Sequence, residues 1–413
     1  MKKNKMMTLL SLFSFMLTGC SKDNPSAGIK KDREELKIVS KEGLKKERNA
    51  EKLSLYQDSA RQSLSDVSAL WEKKDGNHVF SPTSYLIAVS SLLAVSSSVD
   101  AYKDALRIPD PKAERRDLLS SLNGVTKNSY TDEIITSIKT AAFYQQIGDK
   151  YVFDKNKQEK MASEYVDSGV TDALHYLSQA QDYFAEKIGL KRKIPALDPG
   201  VDAVLVYGGL TRKDCADLVK KTASFTGLNG IGKSVDAVTF GDDWGRKSFA
   251  YYKGENYKRM SLPISSTTLE VILPDEGVGL KDIDIKKAYI DFKANATRTP
   301  LYGYVPFFKI KETINLTDIF DRVNSNKAVF CSGLLKDDAD NDLQIRKVIQ
   351  SSDFSFSDKG VEGESITVIY GAEAARPEKH PYTEFNVNRP FYAISSFGGF
   401  PLFVNQVVDP VFE

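Results

Sequence analysis

The segment that most constrains the fold lies near the C-terminus, where a strand pattern leads directly into a loop. Residues 361–369 alternate between small or β-branched side chains on one face and a second face that carries Glu362 and Glu364. Residues 370–383 then combine glycine, alanine, charged residues and two prolines, a composition typical of an exposed loop. A sheet interior can accept the first face, while the two carboxylates must stay in water. The chain therefore predicts a strand-forming segment joined to a long exposed loop.

The N-terminus has the pattern of an export signal. Three lysines precede an apolar run, residues 6–17, which is too short for a stable membrane span. Small residues and Cys20 follow this run, as in the lipoprotein signals of bacteria, so we predict a signal peptide at residues 1–19 and lipidation of Cys20. An ordinary secretory signal with an incidental cysteine is the alternative. Residues 20–50 are rich in lysine, acidic residues and serine, and are predicted to be a flexible tether after the lipid.

The composition indicates which part of the chain folds and which classes of partner it can bind. Residues 51–413 are predicted to be the folded domain, because 41% apolar and 10% aromatic residues in the chain can bury a substantial core. The net charge of +1 argues against nucleic acid as a partner. A lipid at Cys20 implies attachment to a bacterial membrane, outside the cytoplasm, on the cell surface or in the periplasm. The one basic cluster, residues 191–193, is predicted to be a solvated helix end or loop.

The remaining cysteines do not form a disulfide framework. Cys215 and Cys331 are more than a hundred residues apart, and one bridge between them is the alternative in an oxidising compartment. Two separate buried thiols are the favoured interpretation.

The order of the predicted elements favours an α+β fold, with helices mainly first and strands mainly last. Ser81 is a good N-cap and Pro82 a good first residue for a helix that is apolar nearly all round and therefore central. We expect the strand at residues 203–207 to be fully buried. The predicted helices are residues 52–72, 85–95, 101–106, 113–122, 156–166 and 177–187. The predicted strands are residues 134–144, 203–207, 249–252, 257–264, 269–273, 303–310, 343–356 and 391–408.

The sequence contains no recognisable constellation for catalysis or metal binding. His78, His175 and His380 lack metal-ligand spacing, and each is predicted to be an isolated surface or core residue. The acidic stretch 338–342 lacks the glycine that the turn of an EF-hand loop requires, so it is predicted to be a solvated loop. No nucleophile elbow or phosphate-binding glycine loop occurs either. We therefore predict a protein that is not an enzyme and that uses no metal or cofactor.

Several motifs, taken in order, resemble one family. They are residues 77–84 (NHVFSPTS), 305–310 (VPFFKI), 360–362 (GVE), 385–391 (FNVNRPF) and 401–410 (PLFVNQVVDP). Together they are similar to the serpins, over roughly residues 52–410. The resemblance implies a fold of about nine helices and three β-sheets, with a strained central sheet and an exposed reactive loop.

The resemblance also implies a mechanism and the residues that serve it. A protease cleaves the loop, and the loop then inserts as a new central strand while the acyl-enzyme is trapped. The sheet-opening region would contain Ser81 and Ser84, with Tyr207 and Gln350 in place of the usual asparagine and histidine. The sequence differs from the family in lacking a run of alanines in the hinge, and in lacking the tryptophan that usually follows the Tyr207 strand. The hinge residues are Gly360, Val361, Glu362, Gly363, Ser365 and Thr367.

The predicted position of the scissile bond depends on the end of the loop from which residues are counted. Counting from Gly360 by the usual spacing of the family reaches Ala374 and Ala375, whereas counting back from residues 388–391 reaches the bond after Lys379. Ala374 is the favoured candidate, because a small side chain suits elastase- or subtilisin-like proteases.

Other positions in the loop remain alternatives. Arg376 would suit trypsin-like proteases, but Pro377 follows it and blocks that cleavage. The alternatives to Ala374 are Lys379, Tyr370 and Ala372, or cleavage at several sites.

The resemblance implies a surface-anchored suicide inhibitor of serine proteases, with cysteine proteases as a second target class. Its partners would be the target protease and, through the N-terminal lipid, a membrane; we expect a monomer. The alternative is a non-inhibitory lipoprotein of the same fold that acts as a binding or structural protein.

Overall fold

The structure of the protein is a computed structural model. It describes residues 50–71, 75–94, 136–146, 155–163, 165–172, 175–196, 204–212, 214–215, 218–242, 244–245, 247–323, 330–336, 342–344, 347–358, 360–361 and 381–411. Several predicted features lie outside the described residues, namely the export signal, Cys20, the tether, the helices at 101–106 and 113–122, most of the acidic stretch, His380 and loop residues 362–380.

Six α-helices and nineteen β-strands are described. The helices are α1 (Ala50–Trp71), α2 (Pro82–Ala94), α3 (Lys155–Ser163), α4 (Tyr176–Ile188), α5 (Ile285–Asn295) and α6 (Thr317–Val323). The strands are β1 (His78–Phe80), β2 (Thr136–Gln146), β3 (Asp167–Asp172), β4 (Val204–Arg212), β5 (Asp214–Cys215), β6 (Lys220–Thr226), β7 (Gly232–Phe240), β8 (Ser248–Lys253), β9 (Tyr257–Ile264), β10 (Thr267–Pro274), β11 (Thr297–Pro306), β12 (Phe308–Asn315), β13 (Phe330–Lys336), β14 (Asp342–Gln344), β15 (Ile349–Ser357), β16 (Gly360–Val361), β17 (Thr383–Asn386), β18 (Phe391–Phe397) and β19 (Phe400–Val407). The predicted α+β class is confirmed.

Helix α2 is the central helix that the sequence predicts. The Ser84 amide donates to the Ser81 hydroxyl oxygen at 3.2 Å, and Pro82 is the first helical residue, as in a capped helix start. Leu86 and Ile87 are buried, and the helix packs against β4 and β19. The apolar character of α2 on nearly every side therefore reflects contacts with strands of two different sheets.

The largest sheet supplies most of the core. It has ten strands in the order β1-β19-β18-β10-β9-β8-β11-β7-β6, with β17 paired to β11. Its central strands pair along their length with neighbours on both edges. Val271, Ile394 and Val404 on these strands are fully buried, as expected of strands covered on both faces.

Two smaller ladders lie beside α2. In one, β2 pairs in parallel with β3 and antiparallel with β4. In the other, the order is β12-β15-β16-β5, and every pairing is antiparallel. Because β5 follows β4 along the chain, the two ladders are linked through β4 and β5. A separate hairpin consists of β13 and β14.

Three of the predicted strands are in fact two strands each. Residues 303–310 become β11 and β12, residues 343–356 become β14 and β15, and residues 391–408 become β18 and β19. The first break falls at Phe307, whose amide still donates to the Asp236 carbonyl of β7 at 2.8 Å, whereas from Phe308 onward the chain pairs with β15 of another sheet. The last break is the turn of Gly398 (φ 55°) and Gly399 (φ 87°), which lie in the left-handed region that favours glycine.

Several elements were missed. Helices α5 and α6 and strands β1, β3, β5, β6, β7, β13 and β17 had no prediction. Helix α5 carries an N-cap signal, because the Asp284 carboxylate accepts the Lys287 amide at 2.8 Å. The helix predicted at residues 156–166 ends at Ser163, because Tyr165 has a φ of 61° and turns the chain into β3. Cys215 lies in β5 and Cys331 in β13, and neither thiol is among the described side chains.

Candidate functional site

The described start of the hinge is a strand. Gly360 and Val361 form β16, which pairs with Ser357 and Phe356 of β15 on one edge. On its other edge, β16 pairs with β5, so that Gly360 lies opposite Cys215. Gly360 has a φ of 96°, which closes the tight reversal after β15 and requires glycine there. The hinge therefore begins between two strands that come from different parts of the chain.

Among the described residues, the strands on both sides of β16 continue without a partner on one edge. β15 pairs with β12 along its whole length, but its second edge pairs only at Phe356 and Ser357. β4 pairs with β2, and the described residues contain no strand on its other edge. Unpaired N–H and C=O groups along such edges are a template for an added strand. We call the space between β15 on one side and β4 and β5 on the other the slot.

The predicted sheet-opening residues Ser81 and Gln350 lie together. The Ser81 amide donates to the Gln350 Oε1 at 2.6 Å, and the Gln350 Nε2 donates to the Ser81 carbonyl at 2.8 Å. Gln350 is buried, and its Oε1 also accepts the Ser352 hydroxyl at 3.1 Å. Both backbone groups of Ser81 are therefore satisfied by a side chain of β15.

The other two residues predicted for the sheet-opening region are Ser84 and Tyr207. Ser84 contributes its amide to the helix cap. Tyr207 lies in β4, where its backbone is opposite Ala141, and its side chain lies outside the described part. The prediction missed Thr83, whose hydroxyl donates to the Pro401 carbonyl at 2.8 Å. Since the Ser81 hydroxyl donates to the Leu402 carbonyl at 2.6 Å, the start of α2 is joined to both β15 and β19.

His78 is not an isolated residue, so that prediction is wrong. Its Nδ1 lies 2.9 Å from the Glu312 Oε1, and the second carboxylate oxygen accepts the Val79 amide at 2.9 Å. Its ring stacks on Trp71, with centroids 5.7 Å apart. This pair ties β1 to β12. Nothing in the spacing of residues 78 and 312 could have indicated the contact.

The prediction for the basic cluster is right for two of its three members. Lys191 and Lys193 are exposed. Arg192 is half-buried, and its Nε donates to the Ser351 hydroxyl of β15 at 2.7 Å. A charge run therefore contains one residue that contacts the sheet.

A second charged cluster surrounds Arg259 and is almost closed to solvent. Arg259 is fully buried, forms an ion pair with Glu270 and donates from Nη1 to the Ala288 carbonyl at 2.5 Å. Its guanidinium lies over Tyr289 and Phe292, 4.7 and 4.3 Å from the ring centroids. Burial lowers the pKa of Arg259 to about 9, so the side chain remains charged at neutral pH. The cluster fixes α5 on β9 and β10 and has no access for a ligand.

In the described part of the chain, no group of three histidine, cysteine, aspartate or glutamate side chains is placed to hold a metal ion. None of the described helices combines the length and apolar character that crossing a membrane requires.

Comparison with known proteins agrees with the motifs. The profile of the family described as "Serpin (serine protease inhibitor)" matches residues 60–410. Two curated relatives are alaserpin of Manduca sexta, 26% identical over 160 residues, and antitrypsin of Bombyx mori, 26% identical over 148 residues. The matches cover 37% and 33% of this chain, and 40% and 36% of the length of these relatives.

The fold is shared with solved structures. The thermophilic serpin tengpin in its native state aligns with a TM-score of 0.71 at 17% identity, over 90% of this chain and 97% of that one. A serpin of the trematode Schistosoma haematobium gives 0.66 at 17% identity, over 87% and 100%. Human thyroxine-binding globulin complexed with thyroxine gives 0.66 at 16% identity, over 87% and 100%. Since the family profile covers most of the chain, this protein belongs to the serpin family.

Proposed function

We propose that the protein is a suicide inhibitor that traps proteases by inserting its cleaved loop into the slot. The observation that carries this proposal is β16, whose two residues already pair with β15 and β5. Serpins are generally protease inhibitors rather than enzymes, and the proposal therefore gives the loop the role of a bait. Serine proteases are the proposed targets, with cysteine proteases as a second class.

The register of β16 defines how the rest of the hinge would enter. Val361 lies opposite Phe356, and in an antiparallel ladder each further residue of the hinge meets the preceding residue of β15. Continued in this way, Gly363 would meet Phe354, Ser365 would meet Ser352 and Thr367 would meet Gln350. These three residues of β15 are buried. The inner face of an inserted loop would therefore carry the small and β-branched residues of the hinge.

The energy for trapping would come from new backbone hydrogen bonds. A strand inserted along β15 would pair on both edges, and about a dozen hydrogen bonds at roughly 1 kcal/mol each would be gained. The paired strand would also remove two exposed edges. Before cleavage the loop is held at both ends, at Val361 and at β17, so this gain becomes available only when the bait bond is cut.

One hinge residue opposes insertion. In the same register Glu364 would meet Asp353, which is half-exposed on the outer face. Like charges directly opposite each other on a sheet destabilise it. Lys311 lies 3.4 Å from the Asp353 carboxylate and offsets part of this repulsion. We therefore expect insertion to be slower than with a neutral residue at this position, but not prevented.

The decisive test is complex formation with proteases. Elastase-, subtilisin-, trypsin- and papain-like enzymes are incubated with the protein, and an inhibitor gives an SDS-resistant band near the summed mass. Sequencing the released fragment identifies the bait, for which Ala374–Ala375 is the proposal and Lys379, Tyr370 and Ala372 are the alternatives. Cleavage by all four enzymes without a complex would contradict trapping.

A non-inhibitory role is the second candidate. It is motivated by Glu364 and by the two hydrogen bonds through which Gln350 joins β15 to α2. The human relative of similar fold is complexed with thyroxine, so a protein of this fold can bind a small ligand. Melting distinguishes the two roles, because insertion after loop cleavage should raise Tm by tens of degrees, whereas a binding protein should show little change.

The location follows from the N-terminal sequence. We propose that residues 1–19 are removed, that Cys20 is lipidated, and that residues 20–50 tether a monomeric inhibitor to the outer side of a bacterial membrane. Labelling with a radioactive fatty acid, with Cys20→Ala as the control, tests this. An unlabelled wild-type protein would favour an ordinary secretory signal.

A further inference from the structure

Helix α4 is seated on one side of the slot. Phe184 and Ile188 pack on Gly209 of β4, so closely that a Cβ on Gly209 would lie 2.7 Å from the Ile188 Cδ1 and 2.9 Å from the Phe184 Cδ1. A Cβ at this position would force the Ile188 and Phe184 side chains to shift. The helix is therefore held against β4, whose second edge faces the slot.

The chain after α4 folds back along the helix. Gly189 has a φ of 67° and ends α4, with its amide donating to the Ala185 carbonyl at 3.0 Å. Gln181 then holds the next residues, because its Oε1 accepts the Ile194 amide at 2.9 Å and its Nε2 donates to the Arg192 carbonyl at 3.2 Å. We call residues 189–196 the strap. The strap is fixed to α4 and, through α4, to β4.

Arg192 connects the strap to the other side of the slot. Its Nε donates to the Ser351 hydroxyl at 2.7 Å, and its Nη2 to the Thr313 hydroxyl at 3.4 Å. The hydroxyls of Ser351 and Thr313 are 3.2 Å apart on neighbouring positions of β15 and β12. Ser351 lies between the buried Gln350 and Ser352, so it faces outward. Within the described residues no carboxylate pairs with Arg192.

We propose that Arg192 is a positioning residue that sets the rate at which a strand enters the slot. The contacts place α4 on β4 and Arg192 on β15, so one continuous segment joins the two flanking strands. A new strand would separate these strands by one spacing of about 4.8 Å. A hydrogen bond does not survive that displacement. The bonds from Arg192 to Ser351 and Thr313 must therefore break before insertion passes Ser351.

This inference rests on the proposed function, and a peptide experiment separates the two. A labelled peptide with the sequence of residues 361–374 (VEGESITVIYGAEA) is added to the full-length protein, and its uptake is followed by fluorescence polarisation and native gels. No protease is needed. We expect Arg192→Ala to take up the peptide about tenfold faster than the wild type, which corresponds to about 1.4 kcal/mol in activation free energy.

Matched variants locate the effect. Lys193→Ala removes an exposed charge next to Arg192 and should leave the rate unchanged. Ser351→Ala should accelerate uptake as Arg192→Ala does, and the double variant should be no faster than the single ones, because both remove the same bond. Arg192→Lys should be intermediate, since an ammonium group cannot reproduce the planar fork that reaches two hydroxyls.

The outcomes are distinct. If Arg192→Ala and Lys193→Ala take up the peptide at the wild-type rate, the role of Arg192 is overturned while the proposed function stands. If Arg192→Ala only lowers the urea midpoint of unfolding and does not change the uptake rate, the residue is merely structural and the inference fails. If neither the wild type nor any variant takes up the peptide, the slot does not accept a strand, and the proposed function fails with it.

Discussion

The surroundings of Arg259 and those of Gln350 show two ways of burying polar groups. Around Arg259 the strands β9 and β10 pair on both edges, and the guanidinium is enclosed by Glu270, two aromatic rings and a carbonyl. Around Gln350 a neutral amide bonds two backbone groups of Ser81, and no described residue pairs with the second edge of β15 beyond β16. The first region has no alternative arrangement for its charges, whereas the second can separate at the cost of a few neutral hydrogen bonds.

Strands can separate without a large loss of stability only where the groups that become exposed can find new partners. Separating the Arg259–Glu270 pair would leave buried charges without partners, which costs several kcal/mol. Separating β15 from its surroundings at Gln350 and Ser351 exposes groups that water or a new strand can satisfy. We therefore expect substitutions near the slot to change insertion, and substitutions near Arg259 to change only stability.

The largest expected effect comes from the inner face of the hinge. Gly363→Arg would place a charged side chain against buried Phe354, so insertion should be abolished and the SDS-resistant complex lost, while the protease still cleaves the loop. Ser365→Arg should behave in the same way. Glu364→Arg is the matched control, because its side chain faces outward beside Asp353 and should preserve the complex. Equal complex formation by Gly363→Arg and the wild type would refute the proposed register.

The second-largest expected effect is the change in Tm when the loop is cleaved and the slot is filled. Cleavage of the wild-type loop should raise Tm by tens of degrees, since the inserted strand fills both open edges. The same cleavage in Gly363→Arg should leave Tm nearly unchanged. Calorimetry before and after limited proteolysis measures both values. A comparable rise in the two proteins would mean that the stabilisation does not come from insertion along β15.

Removing one partner of the closed cluster should be costly. Arg259→Ala leaves Glu270 buried and uncompensated, and we expect a loss of about 3–5 kcal/mol in the free energy of unfolding, measured with urea. The double variant Arg259→Met and Glu270→Leu should regain most of this loss. Lys287→Ala removes an exposed ion pair with Asp291 and should change the free energy of unfolding very little. A loss for Arg259→Ala no greater than that for Lys287→Ala would show that the buried pair does not hold α5.

The smallest effect concerns the link between α2 and β15. Gln350→Ala removes the partner of the Ser81 amide, whereas the Ser81 carbonyl still accepts the Tyr85 amide at 3.0 Å, and we expect a loss of about 1–3 kcal/mol in the free energy of unfolding. Gln350→Glu keeps the acceptor for the Ser81 amide and should lose less. Both losses should be smaller than that of Arg259→Ala. The comparison between the two regions would be wrong if Gln350→Ala were the more damaging substitution.

Local features of the fold could be predicted from the sequence, while pairings between distant segments could not. The cap at Ser81 and Pro82 and the strand Tyr257–Ile264 depend on neighbouring residues, and both are found where they were predicted. The breaks at Phe307 and after β18 were missed because continuous apolar runs conceal where one strand ends and the next begins. The sequence signal for the break after β18 is the glycine pair Gly398 and Gly399.

In the candidate site too, local motifs could be predicted, whereas contacts between distant segments could not. The hinge residues and Gln350 came from motifs, but the contact between Gln350 and both backbone groups of Ser81 joins positions far apart in the chain. Arg192 was assigned to solvent because its neighbours are lysines, and only the fold brings it to Ser351. The partner of His78 was hidden for the same reason, because β12 is distant in sequence and adjacent in space.

The reversal at Gly360 has a consequence for the timing of inhibition. Starting a new strand is slow when its ends must first find each other, and this entropic cost grows with the length of the loop. Here the chain has already turned back on β15, so the first two rungs exist before any protease arrives. Insertion then begins as the extension of an existing ladder and needs no separate nucleation step. A longer bait region would delay the last rungs but not the first.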